Sequence, residues 1–94
     1  MNADWVDVRG APSVEAVQQA IAAVPVPTGS VLVDSLEPLH PGLIVVYVYS
    51  RADHPTGQRA LSRALYEHLV ATTTWDVEVT DGETDAVVAA RRTT

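Results

Sequence analysis

Apolar residues recur along this chain with two periods, and the order in which those periods alternate predicts the fold. Trp5 to Val8 steps in twos, with Val6 and Val8 on one side and Trp5 and Asp7 on the other, as in a strand. Gly10-Ala11-Pro12 breaks it. Ser13 then stands at an N-cap position, with Glu15 in the first turn at the positive end of a helix. Val14, Val17, Ile21 and Val24 follow at three- and four-residue spacing and share one stripe until Pro25 and Pro27 stop it. Thr28-Gly29 turns the chain into strands over Val31–Leu36 and Leu43–Ser50, joined by the loose connection Glu37-Pro38-Leu39-His40-Pro41-Gly42.

The Leu43–Ser50 strand carries the strongest signal. Leu43, Val45, Tyr47 and Tyr49 face one way, Ile44, Val46 and Val48 the other, and a strand apolar on both faces belongs in the middle of a sheet. A second helix follows, capped by Asp53, His54 or Thr56 with Pro55 in its first turn. Leu61, Ala64, Leu65, His68, Leu69 and Thr72 make its predicted inner stripe, with Arg59, Arg63, Glu67 and Val70 opposite. The β-branched run Thr72-Thr73-Thr74 ends the helix and leads into a strand over Trp75–Val79. Asp81-Gly82 turns the chain, and Ala86–Ala90 returns as the last strand before a polar tail.

The order is β-α-β-β-α-β plus one strand, which predicts a single α+β domain over residues 1–94. It resembles the ferredoxin-like arrangement, a two-layer sandwich with both helices on one face of an antiparallel sheet, here with an additional C-terminal strand forming a hairpin. That architecture carries many unrelated functions and selects none of them. With 94 residues and 47% hydrophobic content, the chain has material for one core without covalent staples.

Composition removes several chemistries. There is no cysteine, hence no disulfide, thiol nucleophile or thiolate-bound zinc. All six basic residues are arginine, so Schiff-base catalysis, pyridoxal phosphate attachment and a P-loop lysine are ruled out, and no cofactor is expected. Such an arginine-only, alanine- and valine-rich composition is typical of GC-rich genomes and suggests a bacterium or its phage. A net charge of −6 opposes binding to nucleic acid or to an anionic membrane, both of which need a basic surface. The run Leu43–Val46 is too short to span a bilayer. Met1-Asn2-Ala3-Asp4 lacks the basic and apolar regions of a signal peptide, so a cytoplasmic protein is expected.

Two places attract a functional reading. At the start of the second helix, Arg51, His54, Thr56, Gly57 and Arg59 combine free N–H groups, a glycine and two guanidiniums, which suits a phosphate or carboxylate. The competing account is a capped loop in which Asp53 pairs with Arg51 or Arg59. The sheet face left bare by the helices is the other place, where Trp5, Tyr47, Tyr49 and Trp75 are expected as anchors for a protein partner or a second copy.

Other candidates point to ordinary structure. His40, His54 and His68 stand fourteen residues apart, without the short spacings of metal sites, so no metal is expected. His68, within the helical stripe, suits a half-buried, hydrogen-bonded histidine better than a proton carrier. Asp76, Glu78, Asp81, Glu83 and Asp85 make the last hairpin acidic, which fits protection of a sheet edge, with a surface for a basic partner as the alternative. Ser35 and Ser62 lie in no nucleophile motif, Asp34 and Glu37 at a strand end suit a carboxylate pair and ordinary turn residues equally, and no catalytic residue is assigned. The leading expectation is a non-enzymatic interaction or regulatory module. The alternative is a small anion-binding protein or enzyme.

Overall fold

A computed structural model describes residues 3–26, 30–49 and 55–92, with side-chain placement in the second helix from Gly57 onward. In chain order the elements are β1 (Ala3–Arg9), α1 (Val14–Ile21), β2 (Val31–Ser35), β3 (Leu43–Tyr49), α2 (Pro55–Thr72), β4 (Asp76–Asp81) and β5 (Val87–Arg91). The five strands make one antiparallel sheet in the order β2-β3-β1-β4-β5. The α+β class follows, and β3 is interior as its two apolar faces require.

Alternation along each strand fixes which side faces the helices. Val6 lies opposite Val46 and Val79, and Val8 opposite Ile44 and Val77. Val17 and Ile21 of α1 and Leu65 and Leu69 of α2 join these valines in a single core. Both helices therefore lie on one face of the sheet, and the other face has no second layer among the described residues. No described helix is long and apolar enough to cross a membrane.

Helix α1 begins as predicted, with Ser13 Oγ accepting the Ala16 N–H at 3.1 Å. It ends at Ile21 rather than running on to Pro25. Ala22 N–H and Val24 N–H each bond a carbonyl three residues back, so the chain tightens ahead of the proline, which disfavours helical geometry in the residue before it. Val24 still packs on the core.

Helix α2 is turned relative to the predicted stripe. Leu65 and Leu69 are buried as expected, but Ala64 and Thr72 are exposed, while Gln58 and Ser62 are buried. At its far end a cation arrives from the last strand. Arg91 donates to the carbonyls of Val70 at 3.1 Å, Thr73 at 2.7 Å and Trp75 at 2.8 Å. Val70 is in the last turn, whose carbonyls a helix leaves without partners, and Thr73 and Trp75 follow just beyond it, at the end where positive charge is favoured. The last turn of α2 has no basic residue of its own.

Candidate functional site

The bare face of the sheet is organised in rows, because paired residues on neighbouring strands project to the same side. One row runs Leu32–Tyr47–Trp5–Thr80 across β2, β3, β1 and β4. The next runs Asp34–Val45–Asp7–Glu78 across the same strands. Beyond it Arg9 lies between Leu43 and Asp76. Tyr49 extends the aromatic end, with its ring centroid 6.4 Å from that of Tyr47 and the planes 23° apart. Aromatic and β-branched residues fit a pleated strand, so the elements that build the sheet also supply this surface.

Exposure is uneven over this face. Val45 and Leu43 are only 3% and 7% exposed, although they point away from the helices. The connection between β2 and β3 brings Leu36 and His40 beside them, and together with Trp5, Asp7 and Tyr47 they surround a cleft of about 240 Å³. The first half of the outer side of β3 is thus largely buried within the chain, at the base of this cleft. The uncovered part comprises the half-buried Trp5, Tyr47 and Tyr49, with Leu32 53% exposed at the edge.

This face is electrostatically loaded. Among the described residues Asp7, Asp34 and Glu78 make no ion pair. Burial, and then the neighbouring Glu78, push the Asp7 carboxyl above its usual range, with Arg9 opposing. Burial also raises the Tyr47 phenol, helped by Asp34, Tyr49 and Asp7. The folded chain therefore holds a proton on Asp7 more readily than the unfolded one, and stability falls as pH rises through the window just above the ordinary carboxylate range. Asp7→Asn removes that penalty. It is expected to raise Tm at neutral pH by a few degrees, about 1 kcal/mol corresponding to about 4–8 °C in a domain of this size. The gain should vanish on acidification below the ordinary carboxylate range, as followed by thermal melts across pH.

Trp75 does not belong to this face. It shares the alternation of Val77 and Val79, packs against the helix-side core, and uses its carbonyl to accept from Arg91. The two tryptophans therefore form no common patch. The acidic hairpin also reads differently in three dimensions. Strand β4, which carries Asp76 and Glu78, is interior, and β5 is the edge, so those charges do not guard an edge. Asp81 instead accepts from Arg59 at 3.0 Å and from the Glu83 N–H at 2.8 Å.

At the start of α2, Arg51 and His54 lie outside the described residues, as does the side chain of Thr56. Gly57 is exposed within the helix. Arg59 is engaged: its Nε donates to Asp4 Oδ2 at 2.7 Å and its other arm reaches Asp81. Its charge is thus compensated within the chain, which draws support away from an anion site.

Asp4 was not legible as part of any cluster, yet it is 1% exposed and organises one. Ser62 Oγ donates to it at 2.7 Å and Gln58 Nε2 at 3.0 Å, alongside Arg59. Burial alone would raise this carboxyl; the hydrogen bonds from Arg59, Ser62 and Gln58, with the Arg59 charge, outweigh it and hold the carboxyl below its usual range. Ser62 is fully buried, so the Ser–Asp pair is a structural bolt between α2 and β1, closed to a substrate. The available signal was alternation, since Asp4 shares the core-facing side of Val6 and Val8 and a carboxylate there requires donors.

Comparison with family models, with curated proteins and with solved structures finds no match. A functional reading rests on the geometry of the chain itself.

Proposed function

We propose that this protein is a non-enzymatic interaction module that binds a protein partner or a second copy of itself through the bare sheet face. We also infer that its first six elements are the ferredoxin-like arrangement, with β5 appended beyond β4, and that it works in the cytoplasm. The strand order β2-β3-β1-β4-β5 supports the first of these inferences.

The observation that carries the interaction reading is the aromatic row. Trp5 and Tyr47 sit side by side on two interior strands, with Tyr49 stacked next to Tyr47 and Leu32 at the margin. Large amphipathic rings on a face without a second layer are the residues from which interface anchors are made. The only described serine buried beside a carboxylate, Ser62, is sealed, and Arg59 is neutralised, so the enzyme and anion-site alternatives draw less support.

Site-specific photo-crosslinking in the native host tests the proposal. A photoreactive phenylalanine analogue at Tyr47 is expected to yield a discrete protein adduct. The same group at the exposed Arg63, on α2, should yield none. Equal labelling at both positions, or no adduct at Tyr47, would overturn the reading.

A further inference from the structure

We propose that the bare face receives a basic polypeptide segment, whose arginine or lysine side chains cross the Asp34–Val45–Asp7–Glu78 row with their aliphatic stems against Trp5 and Tyr47. This rests on the interaction reading and adds the chemistry of the partner.

Two observations of the face combine to select that occupant. The first is the juxtaposition of an aromatic row with a charged one. Adjacent strands lie about 4.8 Å apart, so the three carboxylates span about 14 Å, the length of roughly four residues of extended chain. Trp5 and Tyr47 run alongside that line. A long basic side chain satisfies both rows at once, since its stem covers apolar surface while its head meets a carboxylate, and a guanidinium also stacks on aromatic faces.

The second observation is how the chain distributes its own cations. Arg59 serves Asp4 and Asp81, Arg63 reaches Glu67 at 3.8 Å, and Arg91 serves backbone carbonyls at the end of α2. These cations are engaged on the helix side, while among the described residues Asp7, Asp34 and Glu78 make no ion pair. Arg9 lies one row away and Arg92 borders the same cleft as Asp7 and Glu78, but neither forms an ion pair with them among the described residues, so they offset only part of this charge. The raised carboxyl of Asp7 means that the folded chain keeps a negative charge where it lowers stability, and a cation bound there would reverse that cost.

Competing occupants fit less well. A second copy docking through the same surface would bring one net-negative face against another, which electrostatic complementarity disfavours. Nucleic acid is repelled for the same reason.

An NMR titration of the whole protein with an oligo-arginine peptide, with oligo-glutamate as the reference, tests the proposal. Backbone amides of Asp7, Asp34, Val45 and Glu78 are expected to shift with oligo-arginine only. The triple variant D7N/D34N/E78Q should raise Kd about tenfold or more, since it removes the charges opposite to the ligand's at the contact itself. The variant E15Q/E67Q/E83Q, which makes the same change in net charge at exposed positions elsewhere, should raise it less than about threefold, because screened charges act weakly over distance. Should the first triple fail to fold, Asp34→Asn on the edge strand alone is expected to raise Kd about twofold, and Trp5→Ala, which leaves every charge in place, about threefold.

Equal losses in both triple variants, or shifts confined to the turn between β4 and β5, would overturn the proposal. Concentration-dependent self-association in sedimentation that is lost in Trp5→Ala would also overturn it, while leaving the interaction reading in place. Absence of the Tyr47 adduct described above is the distinct result that removes the reading itself.

Discussion

Asp4→Ala is expected to destabilise the protein by about 3 kcal/mol, because it strips the acceptor from three donors assembled around a buried carboxylate. Ser62 is fully buried, and Gln58 is 7% exposed with its Oε1 already lacking a partner among the described residues. Neither donor finds water easily once Asp4 is gone, although Ser62 Oγ retains the Arg59 carbonyl at 3.0 Å. Arg59 is a milder loss, since its side chain is 34% exposed and keeps Asp81. Urea unfolding followed by far-ultraviolet circular dichroism reads the difference. In a double-mutant cycle, Asp4→Ala with Arg59→Ala should cost less than the two single changes added together, because the residues form one network.

The same residue sets part of the acid response. Its folded-state pKa lies below the unfolded value, so the stabilisation it provides is present above the ordinary carboxylate range and is lost as pH falls through the lower folded value. Asp4→Ala should lie below the parent protein at neutral pH, with the gap narrowing on acidification. A gap that stayed constant across that window would show that the carboxylate's charge plays no part in holding the helix.

Gly82→Ala is expected to cost at least about 2 kcal/mol, for a steric reason with no relief nearby. A Cβ at position 82 would overlap the carbonyl oxygen of Ala3 and lie 2.9 Å from that residue's carbonyl carbon. Both are backbone atoms of Ala3, held opposite Tyr49 in the β1–β3 ladder, so they yield less readily than the end of a flexible side chain would. Gly57→Ala is the matched control. An added methyl there meets nothing within 4 Å, and alanine favours a helix over glycine by about 0.5–1 kcal/mol, so that variant should be neutral or more stable. Thermal melts of the two variants side by side separate close packing from a general effect of losing a glycine.

Periodicity made most of this architecture legible. The alternation in Leu43–Tyr49 placed β3 inside the sheet, and the Ser13 cap and the three- to four-residue spacing of the valines that follow it located α1. Alternation also put Trp5 opposite Tyr47 on the bare side. What stayed hidden depends on pairings between distant residues. The stripe of α2 was read from leucines and alanines, yet the helix turns Gln58 and Ser62 inward because they meet Asp4, more than fifty residues earlier in the chain. Trp75 looked like a partner for Trp5 until the register of β4 put it on the other side. The cleft that Leu36 and His40 of the β2–β3 connection form beside Val45 was out of reach for a similar reason, since loop paths leave no periodic trace.

The grip of Arg91 on the end of α2 has a consequence for how the molecule is made. On the ribosome, the carbonyls of Val70 and Thr73 emerge well before the guanidinium that will satisfy them, which lies 21 and 18 residues further along. The first half of the same helix is moored to the first strand by Gln58, Ser62 and Asp4. A nascent chain stopped short of β5 would carry α2 attached at its front and frayed at its back, so maturation of this helix is expected to wait for the closing strand.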